Sequence, residues 1–185
     1  MISRKQALEK LESLVSNKNL IKHCLAVEAA MLSYADYFNV KNEKEREKWA
    51  VAGILHDADW EKYPEKHPQV IVDWLKKQSA PEDLVNAVAA HGFEFGVEPK
   101  TLMAKVLRAV DELTGLIVAV ALVKGKNLDS VSVKSVLKKW KDKRFAAGVK
   151  REDIEKGAEE IGVPLEKHIE IVLEGMKKIK NKLGL

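Results

Sequence analysis

The sequence predicts an all-α protein, and three observations carry that prediction. Apolar residues recur at helical spacing in almost every segment. Prolines open and glycines close several of these segments, which is the asymmetry that helices show at their ends. No segment reads convincingly as a strand with apolar and polar residues in alternation.

The first half of the chain contains the patterns of three long helices. In residues 4–15 one stripe is apolar, and the polar stretch 16–19 ends the helix. A second helix is predicted from about residue 20 to residue 38. Asn42 then caps a third helix, with Glu45 three residues later as in a capping box, and this helix ends near His56 and Asp57.

The remaining helices are bounded mainly by proline and glycine. The polar stretch 58–66 is predicted to be a loop. Pro68, Pro81, Pro99 and Pro164 each open a helix, and these helices run to about residue 77, to His91, to about residue 124 and into the C terminus. Shorter helices are expected at about 133–140 and at 151–161, the latter ended by Gly162. We therefore predict one domain of residues 1–185, with a helical core at about 20–125 and a C-terminal helical extension at 126–185.

Composition indicates an ordinary globular protein of the cytoplasm. The chain is 46% hydrophobic and 32% charged, and Cys24 is its single cysteine, which excludes an internal disulfide and suits a reducing compartment. The N terminus is charged, and the longest apolar run, 116–123, is far shorter than the ~20 residues that span a bilayer. The net charge of +4 is spread along helices rich in Lys and Glu, so nucleic acid is not an expected partner.

Histidines and aspartates are the candidate functional residues. Four of the five histidines lie where a predicted helix begins or ends, and such ends can converge on one point in a helical bundle. These four are His23, His56, His67 and His91. Three aspartates accompany them: Asp57 next to His56, Asp59 two residues further, and Asp111 on an apolar helix.

This set of side chains is suited to a divalent cation. Imidazole and carboxylate bind Mn²⁺, Fe²⁺, Ni²⁺, Co²⁺, Zn²⁺ or Mg²⁺ without any thiolate. The two oxygens of Asp57 can bridge two ions. Asp111 has apolar neighbours, and a carboxylate on a buried helix is costly unless it is paired or bound to a metal.

The order of these residues resembles the HD superfamily of metal-dependent phosphohydrolases. His23 with the following Cys-Leu-Ala-Val-Glu-Ala-Ala-Met resembles the family's first-histidine helix. The segment Ala-Val-Ala-Gly-Ile-Leu that leads to His56-Asp57 resembles the approach to its signature pair. His67 and His91 resemble the extra histidines of the two-metal subset. The resemblance covers roughly residues 20–125 and implies an HD-type helical bundle.

The resemblance implies a ligand set and a reaction. His23, His56, Asp57 and Asp111 would hold one ion, and Asp57 would bridge to a second ion held by His67 and His91. Family members with the extra histidines often continue the pair with Ile-Gly-Lys, whereas here Trp60 replaces that lysine. Lys62, Lys66 or Arg108 are the candidate substitutes for contact with a phosphate.

The implied activity is hydrolysis of a phosphate ester of a nucleotide or another small phosphorylated metabolite. A metal-activated water would attack, with Asp57 at the centre, and Asp59 or a metal-bound carboxylate would accept the proton. Arg108 lies three residues before Asp111, on the same helix face, where it can clamp a phosphate bidentately.

Two other functions remain open at this stage. Some HD-type centres hold two irons and use dioxygen, and a metal-stabilised regulator that binds a nucleotide or nucleic acid is the non-enzymatic alternative. The basic run 138–144, with Trp140, is interpreted either as a solvated helix face or as a binding surface. The segment 141–149, together with Asp-Glu-Leu-Thr-Gly at 111–115, resembles small stand-alone HD proteins and is expected to close over the site. His168 is predicted to be a surface residue, and an oligomer is possible.

Overall fold

A computed structural model describes residues 2–185 as a bundle of α-helices, and no strand occurs among them. The fold class is therefore confirmed as all-α. The helices are α1 (Arg4–Leu14), α2 (Lys18–Tyr37), α3 (Glu43–Leu55), α4 (Gln69–Lys77), α5 (Glu82–Ala89), α6 (Leu102–Val123), α7 (Val133–Trp140), α8 (Arg151–Glu160), α9 (Leu165–Lys177) and α10 (Lys180–Leu183).

Helix starts follow the expected capping chemistry, with one shift. The Asn42 side chain accepts hydrogen bonds from the backbone N–H groups of Lys44 and Glu45 and so satisfies free donors at the start of α3. Helix α6 begins later than Pro99 indicates. Thr101 caps it through a hydrogen bond from the N–H of Ala104, because a hydroxyl can satisfy a free donor that a proline ring cannot.

Helix α6 runs through the middle of the bundle. It packs against α2, α5, α8 and α9. Its side chains from Met103 to Ala121 are mostly buried, and apolar residues of α2, α3, α8 and α9 complete the same core. Segments 20–125 and 126–185 therefore share one hydrophobic interior. Within the described residues, no helix is long and apolar enough to cross a membrane.

The prediction that His168 is a surface residue is wrong. The side chain is fully buried where α9 packs against α2 and α6. Its Nε2–H donates to the carbonyl oxygen of Ala109 at 2.9 Å, and its Nδ1 accepts from the hydroxyl of Tyr34. The sequence of α9 is amphipathic and places charges near His168, but only the packing of α9 reveals which side of the histidine faces the core.

We expect His168 to make the protein less stable in mild acid. Burial lowers the pKa of this imidazole from 6.5 to about 4. Below pH 6.5 the His168 imidazole is protonated in the unfolded chain but stays neutral in the native chain. The free energy of unfolding therefore has its full value above pH 6.5 and decreases as the pH falls to about 4. The loss between pH 7 and pH 5 should be about 2 kcal/mol.

Urea unfolding of the wild type and of His168→Gln at both pH values measures this contribution. The glutamine can donate and accept hydrogen bonds but does not titrate. An equal loss of stability in both proteins would show that His168 is not its source.

Candidate metal centre

Two groups of ligand atoms meet between the helix ends, and three helices supply the first group. His23 lies on α2, His56 follows the last residue of α3, and Asp111 lies on α6. The Nε2 atom of His23 is 3.0 Å from Oδ1 of Asp111 and 3.2 Å from Nε2 of His56. The His56 Nε2 atom is 3.5 Å from the same Asp111 oxygen.

The second group comes from the connections around α4 and α5. His67 lies just before α4 and His91 just after α5. Their Nε2 atoms are 3.2 Å apart, and they lie 3.4 and 3.5 Å from Oδ1 of Asp57. In each of the two groups, one ligand atom from every member lies within 4.8 Å of the others.

Asp57 stands between the two groups. Its Oδ2 atom is 3.5 Å from Nε2 of both His23 and His56, whereas its Oδ1 atom faces His67 and His91. Each group therefore receives one oxygen of the same carboxylate. His56 and Asp57 are neighbours in the chain, so the end of α3 supplies both a ligand nitrogen of the first group and the carboxylate between the groups.

The imidazoles are oriented by hydrogen bonds at their other nitrogen. The Nδ1 atoms of His56 and His91 lie 2.8 and 2.7 Å from the carbonyl oxygens of Gly53 and Val88, three residues earlier. A carbonyl can only accept, so these rings carry their proton on Nδ1 and leave Nε2 free as a ligand. The Nδ1 atom of His67 lies beside the carboxylate of Asp59 instead of a carbonyl oxygen. The Nδ1 atom of His23 lies 3.4 Å from the hydroxyl oxygen of Thr114.

The donor set and its spacing fit divalent metal ions. Imidazole nitrogen and carboxylate oxygen bind such ions at about 2.0–2.2 Å, so neighbouring ligands at angles of 90–110° are separated by about 3.0–3.4 Å. The separations within each group, 3.0 to 3.5 Å, lie close to this range. Apolar packing alone would not bring four imidazole nitrogens and two carboxylates so close together.

Electrostatics also favour a cation here. Burial would raise the pKa of Asp57 and of Asp111, but the surrounding histidines outweigh it and hold both pKa values well below the ordinary value. Burial would lower the pKa of His56, and the two aspartates reverse this and raise it. Both carboxylates are therefore ionised at neutral pH and stabilise positive charge between them.

Asp59 does not occupy the position expected of a proton acceptor. Its side chain is fully buried outside the wall of the cavity, and both oxygens already accept hydrogen bonds. One lies 2.6 Å from Nδ1 of His67 and the other 2.8 Å from the backbone nitrogen of Ile71. Asp59 therefore does not line the cavity as a proton acceptor would, and its carboxylate instead links His67 to the first turn of α4. We expect it to act by orienting His67.

Removal of the Asp59 charge should weaken the second group selectively. In Asp59→Asn the amide can still accept from one partner, but its NH₂ faces a donor at the other, so His67 loses its orientation. We expect the affinity for the second metal ion to fall about 10- to 100-fold with little change at the first. Calorimetric titration with Mn²⁺ measures both sites, and Asp73→Asn on the exposed side of α4 is the matched control. Equal weakening of both sites would contradict this role.

A cavity of about 250 Å³ opens onto the two groups. Arg108 forms part of its wall, is only 8% exposed, and packs its guanidinium 4.3 Å from the ring centre of Phe93. One terminal nitrogen, Nη2, binds Glu160 at 2.8 Å, while the buried Nε has no hydrogen-bond partner among residues 2–185. Trp60 lines the same cavity and is half exposed, whereas Lys62 and Lys66 do not reach it.

The cavity also contains charged residues that the sequence did not single out. Glu94, Glu112 and Asp153 line it, and Lys150 connects them. The Lys150 ammonium lies 3.1 Å from Glu94 and 4.0 Å from Asp153, and its backbone N–H donates to Glu112 at 3.2 Å. Burial, reinforced by neighbouring Asp111, raises the pKa of Glu112 to about 7. Of these charged residues, only Glu112 could have been suspected from the sequence, because it follows Asp111 directly.

The basic run 138–144 and the segment 141–149 do not line the cavity over the two metal-ligand groups. The indole N–H of Trp140 donates to Glu155 at 2.8 Å, so part of this run packs against α8. Val149 lies beside Gly115 of α6, close to the cavity wall. The segment 141–149 therefore approaches the site at its last residues.

The fold and this arrangement of histidines and aspartates define a helical protein with a candidate two-metal centre. The sequence pattern of the HD domain matches residues 20–116, more than half of the chain. The chain therefore belongs to the HD domain family, whose members are mostly metal-dependent hydrolases. Comparisons with curated proteins and with solved structures found no match.

Proposed function

We propose that this protein is a metal-dependent phosphohydrolase that cleaves a phosphate ester of a nucleotide or another small phosphorylated metabolite. The observation that carries the proposal is the position of Asp57, with one oxygen directed at each of two histidine groups. Such a carboxylate is suited to hold two cations side by side, as two-metal hydrolytic sites require.

Each group would hold one ion. His23, His56 and Asp111 would bind the first, His67 and His91 the second, and Asp57 both. Such ions supply Lewis acidity, which lowers the pKa of water toward neutrality and neutralises charge on phosphoryl oxygens. The hydrogen bonds at Nδ1 would hold the imidazoles of His56 and His91 in place for binding.

Arg108 would bind the phosphate from the opposite wall. Its guanidinium is largely buried, and Nε has no partner in the described part of the chain, so an incoming oxyanion can satisfy this donor. The ring of Phe93 and the carboxylate of Glu160 fix its plane. With both oxygens of Asp59 engaged and the pKa values of Asp57 and Asp111 held low, the proton from water would pass to Glu112, whose carboxylate lines the same cavity.

Metal analysis followed by a phosphate-release screen tests this function. The purified protein is analysed for bound metals, stripped, and reloaded separately with Mn²⁺, Fe²⁺, Co²⁺, Ni²⁺, Zn²⁺ and Mg²⁺. We expect about two ions per chain and phosphate release from nucleotides or sugar phosphates. The absence of release with every metal across nucleotides and sugar phosphates would refute the proposal.

A di-iron oxygenase is the second candidate. The same bridging carboxylate and four imidazoles are suited to a pair of irons, and Trp60 stands where related two-metal members carry a lysine. Oxygen uptake by the Fe²⁺-loaded protein, measured beside phosphate release, separates the two. Uptake that depends on an organic phosphate, without phosphate release, would favour the oxygenase.

A further inference from the structure

Gly115 in the middle of α6 has no structural reason to be a glycine. Glycine within a helix costs about 1 kcal/mol relative to alanine. The three other glycines inside the described helices are explained by packing. A Cβ atom would lie 2.7 Å from the backbone of Glu28 at Gly53, 2.6 Å from that of Ala109 at Gly157 and 2.7 Å from that of Ala29 at Gly175. At Gly115 it would meet only the Val149 side chain, at 3.7 Å, which is ordinary contact.

Gly115 lies where two cavities adjoin. It lines the cavity over the metal-ligand groups, and it also lines a groove of about 430 Å³ on the other side of His23. His23 and Gly115 are the two wall residues that both cavities share. A side chain at position 115 would therefore project where a ligand passes from one cavity to the other.

The groove itself has the character of a ligand site. Its walls combine the apolar residues Val118, Leu122 and Leu183 with two lysines, Lys22 and Lys126. Neither lysine makes an ion pair within the described chain, although most charged side chains near the other cavity do. Unpaired cations beside apolar walls attract a ligand that carries an anionic group on an extended body.

We propose that the substrate extends from the metal centre across Gly115 into this groove. This inference rests on the proposed phosphohydrolase function. One phosphate would lie at the metal groups beside Arg108, the body of the substrate would cross the open face of α6 at Gly115, and a second anionic group would meet Lys22 and Lys126. The substrate class is thus a phosphate ester with a second phosphate or carboxylate at its far end.

Equilibrium binding to the metal-loaded protein tests the inference. Three probes are titrated by calorimetry: inorganic phosphate, adenosine 5′-monophosphate and adenosine 3′,5′-bisphosphate. The wild type should bind the bisphosphate more tightly than the monophosphate. Gly115→Ala should weaken bisphosphate binding about tenfold or more, because a methyl group enters the path of the ligand. Phosphate binding and metal content should not change.

Stability separates a steric effect from damage to the fold. Because alanine favours the helix and meets no clash, the urea midpoint of Gly115→Ala should equal or exceed that of the wild type. Lys126→Gln should weaken bisphosphate binding about threefold, whereas Lys134→Gln, an exposed lysine of α7 outside the groove, should not.

Two results would overturn the inference, and they differ from each other. Wild-type affinity for the bisphosphate in Gly115→Ala would show that position 115 is not on the ligand path, while the phosphohydrolase function would stand. Failure of the metal-loaded wild type to bind any of the three probes would refute the proposed function and this inference together.

Discussion

Asp57→Asn will release both metal ions and abolish phosphate release. The substitution removes the carboxylate that faces both histidine groups and replaces one of its oxygens with an NH₂ group that cannot coordinate a cation. We expect the metal content to fall from about two ions per chain to almost none, and turnover to fall by about 1000-fold or more, which corresponds to roughly 4 kcal/mol. Elemental analysis and phosphate release measure the two effects.

The control for Asp57→Asn is the same chemical change at an exposed aspartate outside the candidate metal centre. Asp73 is exposed on α4, and its carboxylate accepts a hydrogen bond from Gln69. Asp73→Asn should retain both ions and full turnover. If Asp57→Asn kept wild-type metal content and activity, the bridging role of Asp57 would be refuted.

Substitution of either His67 or His91 should remove one ion and leave the other. The Nε2 atoms of His67 and His91 face Oδ1 of Asp57, and neither residue belongs to the group around His23, so His67→Ala and His91→Ala leave that group complete. The metal content should fall from about two ions toward one. Hydrolysis should then fall by about 100-fold or more, because the second cation no longer neutralises the phosphoryl oxygens.

The reciprocal variant makes this result specific. His23→Ala removes a ligand from the other group and should spare the ion between His67 and His91. Paramagnetic resonance of the Mn²⁺-loaded proteins detects whether two ions are coupled, and the coupling should vanish in all three variants. Two coupled ions in both His67→Ala and His91→Ala would show that these two histidines do not hold the second ion.

Helices and ligand types could be predicted from the sequence because both depend on local patterns. Periodic apolar residues and the prolines before α4 and α5 fixed where the helices lie to within a few residues. Histidines at helix ends marked the candidate site for the same reason. What the pattern does not contain is the direction of a side chain relative to distant residues.

Asp59 and His168 illustrate that limit. Asp59 lies two residues from Asp57, and only the turn after α3 decides that it points to His67 and Ile71 instead of the cavity. His168 is 59 residues from Ala109 in the chain, and its burial follows from the packing of α9. The sequence likewise does not show that a Cβ atom at Gly115 would have free space around it.

The contacts of α6 with the last third of the chain determine whether the HD segment can be produced as a separate fragment. Residues 20–116 match the family, yet the guanidinium of Arg108 is balanced by Glu160, and the carbonyl of Ala109 is capped by His168. A fragment cut at residue 125 would expose the apolar flank of α6 and leave a buried cation without its counter-ion. The segment that identifies the family is therefore shorter than the segment that must fold together, and work with isolated pieces should keep both halves.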